Sequence, residues 1–572
     1  MKSKNNKGKN RKYLQKVFLI KKVFLPLLIL LDKIGLVTPF EKRINLILLK
    51  FGIKKNVHYF FKYKDFSRIF KNEFKDKEGD KGIILFPIMT GVNGNFTLMN
   101  LLYSKFFLER DGLKPVFLVC DSAVKICSKD GMLKSRKTHP LFCHECWAGY
   151  KNIAAETGIE IKYFSEFVRP EDLHLQEVEK RVDMLNTLSS CMEFRLNEIP
   201  IGEFCRKSVL RYFFRGKFTG ESEEIQKYKL FITAVSYYSL MMEAFLSKYP
   251  QVKYMIIYNG TLAFESVARF HASARNIPYI TQETFLGQNG LIYKKNGEVM
   301  NLEWNREYEK YKNEFTLNEK EKSNVDLFFS DLKNGKFFYK ALNKEHQNEK
   351  LRGIKKYACL FTNMNFDTAV LDRNSIFSSM EDWLFLVIDF WIKNVPDITL
   401  LVRIHPGESK IVTASQEFIA GKILGIASGK GNVLIIDSDE KISSYELISN
   451  MEYGLIYSST IGLEIAYNGK LCIVAGMPYF RNKPFVITPA AKEEYFESIL
   501  KLNAHNYEFN IDREELARTI NFVYFERLKK ITGIKVYTPE EEPNTIYSTS
   551  EEMIQGNLKF FEEFRNELFE NN

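Results

Sequence analysis

A short polar stretch, RIHPGES at residues 403–409, directly follows an apolar run that predicts a buried strand. The carboxyl end of a parallel strand is where α/β proteins bind ligands, and three charged candidates fall there: Arg403, His405 and Glu408. The guanidinium of Arg403 suits a phosphate or a carboxylate, and His405 can donate a hydrogen bond or carry charge near neutral pH. Pro406 and Gly407 predict a turn that lets the backbone approach a ligand closely. The alternative is an Arg–Glu surface pair beside a helix-capping turn.

A second stretch, YSSTIGLEIAYNGKLCIVAG, begins at Tyr457. We expect a strand to end there and Ser458, Ser459 and Thr460 to open a helix. The free N–H groups, the hydroxyls and the positive end of that helix suit a phosphate. Glu464 lies one helical turn beyond Thr460 on the same face, where a carboxylate could accept both ribose hydroxyls of a nucleotide. The alternative is simple N-capping, for which one serine or threonine suffices.

The elements that must position these residues alternate along the chain. Apolar runs that predict strands include KGIILFPIM, KPVFLVCD, VKYMIIYNG and IPYITQE in the first half, and KYACLFTN, DITLLVRIHP, NVLIIDSD, YGLIYSS and KLCIVAG in the second. Helical spacing of apolar residues lies between them, as in FTLMNLLYSKFFLER. This alternation predicts an α/β protein with two lobes of parallel sheet. We place the boundaries as a basic leader over 1–75, a first lobe with a solvated, charged helical connector over 76–345, a second lobe over 346–490 and a helical C-terminal extension over 491–572.

Composition and charge exclude several classes of protein. A chain of 572 residues with 45% hydrophobic and 27% charged residues is globular and needs more than one core, which excludes fibrous and disordered proteins. The net charge of +11 is concentrated in the leader, so we expect no nucleic-acid partner. The longest apolar run of the leader, residues 23–31, is far short of the ~20 residues that cross a bilayer. Lysines beside phenylalanines and leucines favour a leader that lies on a membrane surface, and the alternative is a frayed tail with a packed helix.

The eight cysteines predict reduced thiols in the cytosol rather than a disulfide framework, because the sequence carries no export signal. Cys143 and Cys146 have the C-x2-C spacing of metal ligands, and Cys120 and Cys127 lie nearby in the sequence. These four residues could hold a structural zinc ion, and the alternative is semi-buried thiols.

Four stretches together carry a family resemblance: FTNMNFDTAV, LLVRIHPGES, SSYELISNMEYGLIYSSTIGLEIAYNGKLCIVAG and MPYFRNKPF. In this order and at similar spacing they resemble the bacterial capsule and surface polysaccharide biosynthesis proteins, which are GT-B-type glycosyltransferase-like enzymes. The resemblance is clear over about residues 355–490 and weaker over 80–290. It implies a GT-B-like fold with two Rossmann-like lobes, in which the first binds an acceptor and the second a nucleotide-sugar donor.

The resemblance also implies roles for individual residues. In related sialyl- and Kdo-type transferases a His-Pro motif and a Ser/Thr pair bind the donor nucleotide and its phosphate, and these positions match His405 with Pro406 and Ser459 with Thr460. Glu464 matches the ribose-binding carboxylate of many GT-B enzymes. The chain lacks the acidic-acidic-glycine motif that supplies a base in the sialyltransferase-like pattern.

Candidates for the acceptor side come from the ends of other predicted strands. An inverting transfer needs a general base, for which Glu283 is the first candidate and Asp121 the second, with His405 as a further catalytic group. Each carboxylate has the alternative of a turn or cap residue. Other polar residues expected in the cleft are Asn93, Asn95, Asn363 and Asp367. We expect no cofactor to be required for catalysis, since leaving-group charge can be met by Arg403, His405 and the helix end after Ser459.

The sequence therefore predicts a glycosyltransferase on the inner face of the cell membrane. It would move a sugar from a CMP-, UDP- or GDP-linked donor to a surface or capsular polysaccharide or its lipid-linked acceptor. Two alternatives share the fold, a CDP-polyol phosphotransferase and a nucleotide-sugar epimerase. A third alternative is a non-catalytic subunit of the polysaccharide-assembly machinery.

Overall fold

The first sheet has seven strands: β1 (Ile83–Ile88), β2 (Lys114–Val119), β3 (Glu160–Tyr163), β4 (Val252–Tyr258), β5 (Tyr279–Thr284), β6 (Gly290–Lys295) and β12 (Lys529–Lys530). The computed structural model describes residues 69–89, 94–124, 126–127, 149–169, 172–284, 290–301, 304–334, 349–408, 419–427, 431–440, 442–531, 547 and 549–570. The strands lie in the order β3-β2-β1-β4-β5-β6-β12. Strands β1 to β5 are parallel, and β6 pairs antiparallel with both of its neighbours, β5 and β12. Every residue of β1 is buried, as expected of a parallel strand covered on both faces.

Helices cover both faces of this sheet: α1 (Gly94–Asp111), α2 (Leu173–Asp183), α3 (Leu188–Met192), α4 (Ile201–Phe213), α5 (Ser222–Lys248) and α6 (Ala263–Ala274). Apolar side chains of α2, α4, α5 and α6 pack in one core with Ile83 and Leu85 of β1, whereas α1 packs in a second core with Ile84 and Phe86. By length and composition α5 could cross a membrane, but 67% of its most apolar window is buried in the structure, as in the core helix of a globular lobe.

The charged segment after β6 is not the solvated connector that its composition predicts. It forms α7 (Asn305–Glu314) and α8 (Glu319–Lys333), and one face of α8 buries Val325, Phe328 and Phe329. The ring of Phe329 stacks on Tyr467 with centroids 3.9 Å apart. Aromatic residues at helical spacing therefore attach this segment to the core of the second lobe, although nearly half of its residues are charged.

The second sheet has five parallel strands: β7 (Tyr357–Phe361), β8 (Thr399–Arg403), β9 (Val433–Ile436), β10 (Tyr453–Ile456) and β11 (Leu471–Val474). Their order is β9-β8-β7-β10-β11. The helices of this lobe are α9 (Met380–Asn394), α10 (Ile419–Ala427), α11 (Ser444–Asn450), α12 (Ile461–Tyr467), α13 (Lys492–Asn503) and α14 (Arg513–Asn521). The predicted α/β class with two Rossmann-like lobes is confirmed by the two sheets.

The end of the chain returns to the first lobe. A π-helical segment, Phe522–Arg527, leads from α14 into β12, and the chain ends in α15 (Ser550–Gln555) and α16 (Leu558–Phe569). Phe564 of α16 stacks on Tyr103 of α1 with centroids 4.5 Å apart, and Arg565 forms a two-pronged ion pair with Asp111. The C-terminal helices thus complete a face of the first sheet.

In both sheets the order in which the chain adds strands reverses after the third strand. In the first lobe the chain runs outward through β1, β2 and β3 and then restarts on the other side of β1 with β4. In the second lobe it runs through β7, β8 and β9 and restarts beside β7 with β10. Crevices at the carboxyl ends of the strands beside such a reversal are where open α/β sheets bind ligands. The fold therefore offers two candidate sites, at β1/β4 and at β7/β10.

Candidate functional site

His405 lies at the carboxyl end of β8 and is held from two sides. Its backbone N–H donates to Thr362 Oγ1 at 2.9 Å, and its Nδ1 accepts the N–H of Gly407 at 3.0 Å. Because Nδ1 is an acceptor, the neutral ring carries its proton on Nε2. Burial lowers the pKa of His405 to about 4, although nearby Asp367 acts in the opposite direction. At neutral pH the imidazole is an uncharged ring with a donor at Nε2.

Arg403 has a different set of partners from the one that its motif suggests. It is 2% exposed, and its guanidinium donates to the carbonyls of Asp437, Glu440 (3.3 Å) and Ile442 (3.4 Å). Burial lowers its pKa, and acidic residues of that loop oppose the shift. The side chain thus holds the loop after β9 against the end of β8, which is a positioning role.

Glu408 is buried and accepts the N–H of Ile419, the first residue of α10, at 2.5 Å. Its other oxygen, Oε2, has no hydrogen-bond partner within the described parts of the chain. Burial raises the pKa of Glu408 to about 7. The carboxylate therefore supports the start of a helix beside the His-Pro turn.

The serine run after β10 is tied to the segment that follows β7. The N–H of Ser458 donates to Asn363 Oδ1 at 3.3 Å, and its hydroxyl donates to the carbonyl of Ala369 at 2.9 Å. Ser459 Oγ accepts the N–H of Ile461 at 3.4 Å, whereas the side chain of Thr460 makes no capping hydrogen bond to α12. Ser459 and Thr460 are half-buried at the β7/β10 reversal.

Glu464 lies in the first turn of α12 and is buried. The hydroxyl of Tyr445, on α11, donates to its carboxylate, and this hydrogen bond partly offsets the burial that raises the pKa of Glu464 to about 7. Asp367, also predicted for the cleft, accepts the N–H of Ala369 at 3.0 Å and lies near His405. The structure thus brings the predicted donor-site residues of β7, β8 and β10 to one edge of one sheet.

In the first lobe, the two carboxylates predicted as bases lie on different strands. Glu283, near the end of β5, accepts hydrogen bonds from Asn259 Nδ2 (2.8 Å), Tyr258 OH (3.1 Å) and both donors of Thr284. Burial raises its pKa, and these hydrogen bonds oppose that shift. Asp121, after β2, accepts from the N–H and the hydroxyl of Ser165 and so holds the turn after β3. Only Glu283 lies close to the β1/β4 reversal.

Sequence reasoning missed Glu265, which lies in the first turn of α6, directly after β4. It is buried close to Glu283 and lines a cavity at the β1/β4 reversal. Its local sequence, in LAFESVARF, reads as an ordinary amphipathic helix. The signal that could have found it is positional, because Glu265 follows β4 as Glu464 follows β10.

A chain of ion pairs links the two reversal points across the lobes. Arg269 donates to the carbonyl of Gly260, in the turn after β4, at 2.9 Å and pairs with Glu298 at 2.8 Å. Lys207 lies 3.9 Å from Glu298 and 3.2 Å from Asp372, which belongs to the segment after β7. Asp372 also pairs with Arg206. The segments that follow β4 and β7 are therefore connected across the lobes, through a cluster of basic side chains and their acidic partners.

Several predictions fall wholly or partly outside the described residues. Asn93, Cys143, Cys146 and residues 1–68 of the leader lie outside them, as does the side chain of Asn95. Cys120 and Cys127 are half-buried and form no disulfide within the described residues, where no three potential ligands form a metal cluster either. The zinc site and the membrane-surface leader stay predictions.

The expectation that catalysis needs no metal was based on the absence of an Asp-x-Asp motif and overlooked one such triplet, Asp437 to Asp439. It follows β9, and Asp437 Oδ1 accepts the N–H and the hydroxyl of Ser438 at 2.6 and 3.1 Å. The backbone carbonyl of Asp437 accepts from Arg403. In this structure the triplet shapes the loop that Arg403 holds.

No protein-family model and no curated protein matches this chain. Among solved structures, a β-Kdo 2,4 transferase, KpsC, from Thermosulfurimonas dismutans aligns at 13% identity over 53% of this chain and 88% of that chain, with a TM-score of 0.33. UDP-GlcNAc 2-epimerase from Methanocaldococcus jannaschii aligns at 14% identity over 51% and 81%, with a TM-score of 0.26. MnaA from S. aureus, solved with UDP, aligns at 11% identity over 78% and 96%, with a TM-score of 0.26. Because these TM-scores lie below 0.5, only this chain's own residues support a statement about its function.

Proposed function

We propose that this chain is a glycosyltransferase that takes a sugar from a nucleotide-activated donor held at the β7/β10 reversal. The observation that carries the proposal is the placement of His405, Ser459 and Thr460 at one edge of the second sheet, just after the two strands that flank β7. The neutral ring of His405 carries its proton on Nε2 after β8, and Ser459 and Thr460 carry hydroxyls after β10. Hydrogen-bond donors fixed before the reaction are what a leaving phosphate needs.

In the proposed reaction, an acceptor hydroxyl attacks the anomeric carbon of the donor sugar. The bond from that carbon to the phosphate oxygen breaks, and the nucleotide leaves with the electron pair. His405 and the hydroxyls after β10 stabilise the negative charge on the phosphate. Glu464, aligned by Tyr445, would accept the ribose hydroxyls, and Arg403 and Glu408 would keep the surrounding loops in place.

The acceptor in this proposal is a surface or capsular polysaccharide or its lipid-linked precursor, and the leader holds the enzyme on the inner face of the membrane. The support for this location is the basic and apolar composition of residues 1–50. A variant without residues 1–50 is expected to move from the membrane fraction to the soluble fraction. Unchanged fractionation would contradict the proposed location and leave the donor site untouched.

The donor site is tested by thermal shift with CMP, CDP, UDP, GDP and their sugar conjugates. A ligand at 100 times its Kd stabilises the folded state by about 2.7 kcal/mol, which raises Tm by several degrees. We expect one nucleotide class to stabilise the wild type and to lose that effect in His405→Ala. The matched control is His174→Ala, which removes an exposed histidine of α2 and is expected to keep the full shift. Equal shifts in His405→Ala and the wild type would refute the site.

A further inference from the structure

A small cavity lies at the β1/β4 reversal of the first lobe, between the ends of β1, β4 and β5 and the first turns of α1 and α6. Its volume is about 20 Å³, enough for one water molecule or one hydroxyl group. Its walls are partly aromatic, because Phe96 packs edge-on against Tyr258 with centroids 4.2 Å apart. Its polar members are Thr97, Asn100, Tyr150, Tyr258, Glu265 and Gln282.

Two of these side chains have a polar atom without a partner among the described residues. Thr97 is 5% exposed and Glu265 is 6% exposed. Within the described ranges of the chain, neither Thr97 Oγ1 nor Glu265 Oε2 makes a hydrogen bond. Leaving a buried donor or acceptor unpaired costs its full desolvation, so native proteins seldom do so without a ligand or water to complete the site. Both residues line the same cavity, which indicates one bound group that forms hydrogen bonds with both.

The charges around the cavity favour a bound hydroxyl group over a bound anion. Glu265 faces Glu283 of β5, and the charged group that favours its anionic form is Arg211 of α4. The other titratable groups around it are Tyr258 of β4, Tyr238 of α5 and Tyr150, which also lines the cavity. Burial and Glu283 raise the pKa of Glu265 to about 7. A carboxylate and a threonine hydroxyl together can accept from and donate to an alcohol.

We propose that this cavity receives the attacking hydroxyl of the acceptor and that Glu265 Oε2 takes its proton. This inference rests on the proposed function and assigns its general base. The hydroxyl oxygen forms the bond to the anomeric carbon, the bond from that carbon to the nucleotide phosphate breaks, and the hydroxyl proton goes to Glu265. Thr97 orients the hydroxyl by donating to its oxygen.

Glu283 is the positioning residue of this arrangement. Its two oxygens accept four hydrogen bonds, from Asn259, Tyr258 and the backbone and hydroxyl of Thr284. A carboxylate with so many donors is stabilised as an anion and is a weaker base than one with a free oxygen. Through Tyr258 and Asn259, Glu283 fixes the end of β4 and the turn that leads to Glu265.

The test uses the full chain and the nucleotide sugar that stabilises the wild type by thermal shift, with excess glycerol as the hydroxyl acceptor. We expect Glu265→Gln to retain the donor's thermal shift but to release nucleotide about 10²- to 10⁴-fold more slowly. Glu283→Gln is the matched control, with an expected loss of about tenfold or less. In the wild type kcat should fall on acidification below about pH 7, and this limb should be missing in Glu265→Gln.

Two further variants keep the inference open to refutation if Glu265→Gln folds poorly. Glu265→Asp keeps a carboxylate but withdraws it by one methylene, so an intermediate kcat is expected. Thr97→Val is expected to raise KM for glycerol more than it lowers kcat. If the wild type turns over and Glu265→Gln has the same kcat, the cavity holds only a buried water. That result would refute the role of Glu265 and leave the proposed transferase function standing. A wild type that neither binds nor turns over any donor would overturn the proposed function and the inference together.

Discussion

The two lobes place a buried glutamate at the same point of the same topology and complete it differently. Glu265 and Glu464 each lie in the first turn of the helix that follows the fourth strand of their sheet, and burial raises the pKa of both to about 7. Glu464 is hydrogen-bonded by Tyr445. Glu265 keeps an oxygen without a partner among the described residues and lines a cavity. The same position can therefore hold a glutamate that already has a hydrogen-bond donor in one lobe and a glutamate that acts as a base in the other.

The lobes also differ in how an arginine holds the loops beside each reversal point. In the second lobe, buried Arg403 donates to three carbonyls of the loop after β9. In the first lobe, half-buried Arg269 donates to one carbonyl, that of Gly260, and pairs with Glu298. The donor site is thus built on a rigid internal frame, whereas the first lobe depends on contacts that continue across the cleft.

Replacing these two arginines should give the largest difference between the lobes. Arg403→Met leaves one buried and two partly buried carbonyls without their donor, and we expect a loss of about 3 kcal/mol in the free energy of unfolding. Arg269→Met removes one such hydrogen bond and a partly exposed ion pair, so about 1 kcal/mol is expected. Denaturant unfolding of both variants measures the difference. Equal losses would contradict the contrast between the two frames.

The pH dependence of stability should sharpen the comparison of the glutamates. The pKa of Glu265 in the folded state, about 7, is above the ordinary value of 4.5. Its favourable contribution is therefore complete below pH 4.5 and is lost as the pH rises through 7. Glu265→Gln does not ionise, so its stability relative to the wild type should rise by on the order of 3 kcal/mol between pH 4.5 and 8. Thermal unfolding at both pH values measures this, and a constant difference would show that Glu265 titrates normally.

Glu464→Gln is the comparison variant for this experiment. Because the pKa of Glu464 is also raised to about 7, its stability relative to the wild type should change with pH in the same direction. A rise for one variant and not for the other would show that the matching positions do not create matching environments.

The strands and most helices follow from the local pattern of the sequence, whereas the site depends on contacts that the pattern does not contain. Short apolar runs bounded by polar residues, such as ACLF and LLV, predict buried parallel strands. The partners of Arg403 lie in a separate loop, after β9, so its motif could not distinguish a ligand contact from a loop contact. Thr97 and Glu265 come together only because β1 and β4 are neighbours in the sheet.

The two misjudged regions have a related cause. The segment of α7 and α8 was expected to be solvated because charged residues dominate it, but a few aromatic residues at helical spacing are enough to bury one face. Strand β12 has two residues, too few to carry a hydrophobic pattern. It exists because the returning chain runs beside the edge strand β6.

Removing one polar partner from each glutamate site should give a smaller contrast. Tyr445→Phe deletes the hydroxyl that donates to Glu464, and we expect a loss of about 1 kcal/mol in the free energy of unfolding at pH 8. Thr97→Val deletes a hydroxyl that has no partner in the described structure, so its stability should be unchanged or slightly increased. Denaturant unfolding of both variants shows whether each hydroxyl already has a hydrogen-bond partner in the folded protein. A loss in Thr97→Val as large as that in Tyr445→Phe would show that the threonine is already satisfied.

The smallest effect is expected where the lobes meet. Asp372→Asn removes the acid that pairs with Arg206 and Lys207 across the cleft. These side chains are between 19% and 41% exposed, so the stability of the protein should change by less than about 1 kcal/mol, and less still in high salt.

The variant leaves Lys207 beside the like charges of Arg206, Arg269 and Arg373, with Glu298 as the remaining acid. A more positive cleft should therefore bind a nucleotide more tightly at low salt, a gain that disappears as salt screens the charges. Thermal shift with the active nucleotide at two salt concentrations measures this, and weaker binding at low salt would show that Asp372 holds the lobes in the binding geometry instead.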